Sequence, residues 1–136
     1  MKNKITIGIV GGGVAGLVFA NFLKDSSRFK IKIFEKKEFT NKPATGIQIS
    51  NNARRILNKI NFNQIDTGQF SEVHKVNIFQ YENKNKIAEL NINYFNNDKE
   101  EYVSLDRNLL ITFLLSELKK KIEVYHEEVI SIQNNT

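Results

Sequence analysis

The chain has 136 residues, 40% hydrophobic and 26% charged, which suits one folded domain and excludes a disordered polymer. It contains no cysteine, which excludes disulfides, thiolate zinc sites and a cysteine nucleophile, and suits a reducing, cytoplasmic setting. The net charge of +5 is mostly lysine interleaved with Glu and Asp, the only arginines being Arg28, Arg54, Arg55 and Arg107; no basic stripe marks a nucleic-acid surface, and the balance favours an anionic ligand.

Lys2 and Lys4 precede an apolar run from Ile5 to Leu23, with Gly8, Gly12 and Gly16 at four-residue spacing, a pattern shared with membrane helices. The run holds five glycines, three of them consecutive, and each costs about 1 kcal/mol in a helix relative to alanine. A turn accounts for them better, so no transmembrane segment is expected. Ile5 to Val10 is a β-branched run of the kind that forms a strand buried on both faces. Val14 to Leu23 is apolar almost all round and stops at Lys24-Asp25-Ser26-Ser27, as a buried helix does. Phe29 to Glu35 alternates and ends on a carboxylate, completing a βαβ unit.

After Pro43, Ser50 or Asn51 can cap a helix whose Ala53, Ile56, Leu57 and Ile60 face inward and whose Arg54, Arg55, Asn58 and Lys59 face solvent. Between His74 and Tyr94 the period changes to two, around Val76 and Ile78 and then Leu90, Ile92 and Tyr94; two antiparallel strands are expected, separated by Glu82-Asn83-Lys84-Asn85. From about Asp106 to Lys120, Leu109, Leu110, Phe113, Leu114 and Leu118 form an apolar helical stripe with lysines in the last turn. Lys121 to Tyr125 and Val129 to Ile132 are two short strand candidates. His74 and His126 are isolated, and no Ser-His-Asp or metal constellation is legible.

The chemistry lies in Gly11-Gly12-Gly13-Val14-Ala15-Gly16. A helix N-terminus holds a pyrophosphate through backbone N–H groups if the chain turns sharply after the strand and no side chain blocks approach. Gly11 permits the turn, Gly13 the approach, and Gly16 the close packing of helix on strand. Glu35 stands 19 residues past Gly16, where a carboxylate accepts hydrogen bonds from ribose hydroxyls and opposes a 2′-phosphate, disfavouring NADP at this site. FAD and NAD share this fingerprint.

Further along, Gly46-Ile47-Gln48-Ile49-Ser50-Asn51-Asn52-Ala53-Arg54-Arg55-Ile56-Leu57 and Val103-Ser104-Leu105-Asp106-Arg107-Asn108-Leu109-Leu110-Ile111-Thr112-Phe113-Leu114 follow the βαβ unit. In this order the chain resembles the single-component FAD-dependent aromatic hydroxylases. The resemblance implies an α/β fold: an incomplete Rossmann-like FAD-binding domain over residues 1–136, with an inserted antiparallel strand pair. It implies that Gly11, Gly13, Val14, Ala15 and Gly16 hold the FAD pyrophosphate, Glu35 the adenosine ribose, and that Lys36 lies beside the adenine. Arg107 would contact the phosphate and ribitol portion, and the backbone of Val129 would lie against the adenine. The sequence departs from the family at Asn51, where a proline is usual, and at Lys42, the nearest counterpart of a frequent arginine.

The family also carries an Asp-Gly and a later Gly-Asp segment, whereas this sequence has no glycine after Gly68. The expectation is therefore the FAD-binding part of a monooxygenase that hydroxylates a small aromatic substrate with NAD(P)H as electron donor, incomplete as this chain. It would be a truncated product, a fragment, or one piece of a split enzyme whose second polypeptide supplies the rest. A non-catalytic nucleotide-binding module or remnant is the first alternative, and an NAD-dependent oxidoreductase half-domain the second.

Overall fold

The computed structural model describes residues 4–40, 45–94, 101–118 and 122–134. Two compact units are present, Met1–Pro43 with Asn108–Thr136, and Ala44–Arg107.

The first unit is α/β. Strand β1 (Ile5–Val10) runs through a glycine turn into helix α1 (Val14–Leu23), which returns to strand β2 (Phe29–Phe34). β1 and β2 pair in parallel from Ile5 opposite Phe29 to Val10 opposite Phe34, and β8 (Glu123–Tyr125) adds to the other side of β2 in parallel. Helix α3 (Arg107–Leu118) feeds β8. The strands are parallel because each is reached through a helix that carries the chain back. Ile31 and Ile33 of β2, Leu17 and Ala20 of α1, and Leu110, Ile111, Leu114 and Leu118 of α3 are buried. Lys30 and Lys32 alternate with the β2 isoleucines and reach Glu123 at 3.0 and 3.6 Å. Burial on both faces of β1 is not found: Ile5 and Val10 are exposed and Ile9 is buried. The three-strand order β1-β2-β8 places β1 at an edge, so it has one strand neighbour and shields fewer of its own side chains.

The one buried polar side chain among the described residues is Asn21. Its amide donates to the carbonyls of Leu17, at 3.0 Å, and Leu114, at 2.9 Å, tying α1 to α3. Beside it Lys24 reaches the Glu117 carbonyl at 2.7 Å. These bonds satisfy a group whose unpaired burial would cost about 1–3 kcal/mol.

The second unit is antiparallel. β3 (Gly46–Ile49), β7 (Val103–Asp106) and β4 (Ser71–Glu72) form one sheet in the order β3-β7-β4, and β5 (Lys75–Phe79) pairs with β6 (Lys86–Asn91) in a hairpin. The period-two pattern anticipated the hairpin but not the sheet, whose strands of two to four residues are too short to stand out by periodicity. Helix α2 (Asn51–Asn58) buries Leu57. Two expectations for it are corrected: Ile56 is exposed, and Arg54 is turned in, its side chain 13% exposed and close to Glu101 at 3.8 Å. A wide aromatic face explains the exchange, since the Arg54 guanidinium lies over Phe70, which itself stacks on Phe62.

Two strand ends are also corrected. Residues Ile92–Tyr94 form a 3-10 turn instead of prolonging β6, because Ile92 buries its side chain while its N–H bonds the His74 carbonyl at 2.8 Å. Val129 to Ile132 is not a strand; its alternation suits one, but a strand needs a neighbour to complete its ladder, and none pairs with it among the described residues. Lys119 to Lys121, read as helix end and strand start, and Lys42 lie outside the described residues.

Candidate functional site

β1 delivers the chain to Gly11, whose φ of 102° is a conformation L side chains rarely adopt. A Cβ there would meet nothing within 4 Å, so the backbone faces open space. The Gly11 N–H donates to the Phe34 carbonyl at 2.8 Å, fastening the turn to the end of β2. Gly13 is the N-cap of α1, with φ −74° and ψ −178° and no side-chain cap. The first turn of α1 contains no acidic residue, so the positive end of the helix is not neutralised by its own carboxylates. The N–H groups of Val14 and Ala15 belong to that first turn, where no earlier helical carbonyl can take them.

Gly16 faces back onto the turn: a Cβ there would lie 2.1 Å from the Gly11 carbonyl oxygen and 3.1 Å from Ile9 Cγ2. Glycine is therefore demanded at 16 by helix-on-strand contact and at 11 by dihedral, as the sequence reading expected. Gly12 carries a role that reading did not assign. It is buried, its N–H donates to Glu35 Oε2 at 2.7 Å, and a Cβ on it would lie 2.7 Å from the tip of the Phe39 ring and 3.0 Å from Glu35 Cβ.

Glu35 directly follows β2 and accepts on both oxygens, Oε2 from Gly12 and Oε1 from the Lys37 N–H at 3.0 Å. The Lys37 amide, opposed by partial burial and assisted by the Gly12 amide and the charges of Lys37 and Lys36, holds its carboxyl below the usual range. Glu35 is thus an anion at neutral pH. A carboxylate offers about four lone-pair directions, so two backbone bonds leave capacity for hydroxyl donors.

A cleft of about 270 Å³ opens at the carboxyl ends of β1 and β2, where ligands bind in open α/β sheets. Val10 and Gly11 line it from β1 and the turn, Phe34, Glu35 and Lys36 from β2 and beyond, and Glu127, Glu128 and Val129 from the segment after β8. The structure thus brings together Gly11, Glu35, Lys36 and Val129, four residues expected at the site from the sequence. Gly13, Val14 and Ala15 follow Gly11 directly, at the cap and first turn of α1. Arg107 begins α3 and lies in the second unit, its N–H bonding the Thr45 carbonyl at 3.3 Å.

Sequence reasoning missed Glu127 and Glu128. Their signal was adjacency to Val129 just past a strand, but only the parallel pairing of β8 with β2 carries them to Glu35 and Lys36. Lys36 reaches Glu128 at 3.3 Å. Among the described residues no group of acidic or histidine side chains is placed to hold a metal, and no helix is long and apolar enough to cross a membrane.

Strand, glycine turn, helix and acid-terminated strand define a Rossmann-like α/β fold. A family model described as an NAD(P)-binding Rossmann-like domain matches residues 9–59. No curated protein matches the chain. Among solved structures, p-nitrophenol 4-monooxygenase PnpA from Pseudomonas putida DLL-E4 is 17% identical with a TM-score of 0.73, covering 96% of this chain and 34% of its own. 2-Methyl-3-hydroxypyridine-5-carboxylic acid oxygenase is 19% identical with a TM-score of 0.66, covering 91% and 32%. The flavin-dependent monooxygenase PieE, solved in complex with FAD and substrate, is 13% identical with a TM-score of 0.66, covering 90% and 24%. At these identities the likeness is one of fold, and the chain spans a third or less of the length of the last two.

Proposed function

We propose that the chain binds FAD by its adenosine diphosphate end, as the nucleotide-binding module of a flavin-dependent monooxygenase. The observation that carries this reading is the convergence of Gly11 and Glu35 on one cleft beside the start of α1. The residues fit the group. Gly11 presents backbone without a side chain in the way, Gly13, Val14 and Ala15 offer the helix N-terminus to a pyrophosphate, and Gly16 keeps that terminus against the turn. Glu35 accepts from the adenosine ribose, with Lys36 and the Val129 backbone at the adenine. At about 270 Å³ the cleft falls just below the roughly 300–1,000 Å³ of pockets for whole small ligands, as suits one end of a dinucleotide.

The carboxylates of Glu35, Glu127 and Glu128 along the same cleft oppose a 2′-phosphate and favour FAD or NAD over NADP in it. By resemblance, Arg107 serves the phosphate and ribitol portion. Bound FAD supplies the redox chemistry, taking electrons from NAD(P)H and activating oxygen for an aromatic substrate; this chain's residues anchor and orient it. The parts that would enclose the substrate are assigned to further polypeptide, and the setting proposed is cytoplasmic. The family-model match favours one second reading, an NAD-binding half-domain.

Titration of the purified chain with FAD, followed by flavin absorbance and fluorescence, and with NAD and NADP as competitors against FAD, tests the choice. FAD is expected to bind most tightly. Gly13→Glu should weaken it at least about tenfold by placing a carboxylate at the pyrophosphate, without backbone strain because Gly13 has ordinary extended dihedrals. Equal FAD affinity in the two proteins, or tighter binding of NAD, would overturn the assignment.

A further inference from the structure

A run of three glycines has more backbone freedom than any other tripeptide, and a phosphate cradle that must be ordered at binding loses affinity by that amount. Glycines cannot anchor themselves, so neighbouring side chains must do it. Around Gly12 two are in place. Glu35 takes its N–H and lays its Cβ and Cγ against it, 3.0 and 3.2 Å from where a Cβ would stand, and the tip of the Phe39 ring approaches that point to 2.7 Å. The half-buried Phe39 ring also meets His126 edge-on, with ring centroids 5.6 Å apart at 72°. His126 follows β8 directly and leads into Glu127, Glu128 and Val129, the third wall of the cleft.

We infer that Phe39 is a positioning residue for the nucleotide cleft, its ring touching both Gly12 and His126 so that the glycine turn and the Glu127–Val129 segment are held at a fixed separation before ligand arrives. The inference rests on the reading of this cleft as the FAD site. It explains why glycine occupies position 12, where the fingerprint itself leaves the residue unspecified: the ring and the Glu35 stem take the volume of a side chain. Phe39 acts through the turn and the segment.

The test compares wild type with Phe39→Ala, Phe39→Leu, Gly12→Ala and the Gly12→Ala/Phe39→Ala double variant, titrated with FAD and with ADP. Phe39→Ala is expected to raise both dissociation constants about tenfold, and Phe39→Leu, which keeps an apolar body there, to recover most of that loss. Gly12→Ala is expected to cost several-fold less in the Phe39→Ala background than alone, because the ring it strikes is gone. Amide exchange at Gly11 and Gly12, which needs no ligand, should be faster in Phe39→Ala. Unchanged affinities in folded Phe39→Ala, or effects that simply multiply in the double variant, would overturn the positioning role. If wild type binds neither FAD nor ADP the cofactor reading falls, and the exchange rates still decide whether Phe39 holds the turn. Should Phe39→Ala not fold, Phe39→Leu carries the same comparison with a smaller effect.

Discussion

The first unit's helices and β2 and the second unit's β5–β6 hairpin use apolar side chains in opposite ways. In the first unit, Leu17 and Ala20 of α1, Leu110 and Leu114 of α3, and Ile31 and Ile33 of β2 are at most 5% exposed. In the second, the β5–β6 hairpin leaves Ile78, Phe79, Ile87 and Leu90 between 43% and 64% exposed. Both contain strands with alternating sequence, so alternation alone does not produce a core; what differs is the layer laid over the strands. The cleft lined by Gly11 and Glu35 belongs to the first unit. A cradle that must present backbone amides at fixed positions gains from a platform whose helix cannot drift, and Gly16 against Gly11 is the contact that locates it.

Truncating the same residue type in both units gives the largest contrast. Leu114→Ala removes a fully buried side chain and is expected to cost about 2–5 kcal/mol, whereas Leu90→Ala, half-exposed in the hairpin, should cost about 1 kcal/mol or less. Urea unfolding of both variants checks this, and equal losses would break the comparison. Next in size, Gly16→Ala pushes a Cβ into the Gly11 carbonyl oxygen and should cost at or above the upper end of the roughly 1–3 kcal/mol typical of overpacking, with weakened FAD binding as its second signature. If Gly16→Ala left the unfolding midpoint unchanged, the helix would be further from the turn than the structure places it.

The smallest effect is a pH dependence. Glu35 has its carboxyl pKa lowered from 4.5 in the folded chain, so the folded state binds this proton less readily than the unfolded one. Its stabilising contribution is complete above about pH 4.5 and is lost as pH falls through the lower folded value. The stability difference between wild type and Glu35→Gln should therefore be greatest near neutrality and shrink in acid, as read from unfolding midpoints across pH 3–7. A constant difference would mean the Gly12 and Lys37 amides do not favour the ionised form.

Much of the site was legible because it is local. The turn at Gly11, the cap at Gly13, the contact of Gly16 and the acid at Glu35 follow from a strand, a tight turn, a helix and a strand within thirty-one residues, Ile5 to Glu35. Their physical requirements, a positive φ, a missing Cβ and a carboxylate past a strand end, are properties of single residues. Periodicity likewise located α1, α3 and the hairpin, since the helices repeat their apolar positions over several turns.

Other features depended on partners distant in sequence. Arg54 reads as a solvated helix residue until Phe70 and Glu101 are brought beside it. Val129 to Ile132 reads as a strand, yet alternation says nothing about whether a neighbour is there to bond. By itself the sequence determined the βαβ unit and the glycine turn between its first strand and helix. Only the tertiary structure decided that Glu127 and Glu128 join Val129 along the cleft, and that Phe39 and Glu35 press on Gly12. The first set rests on dihedrals and spacings within one segment; the second exists only once β8 pairs with β2 and brings residues some ninety positions apart within a few ångströms.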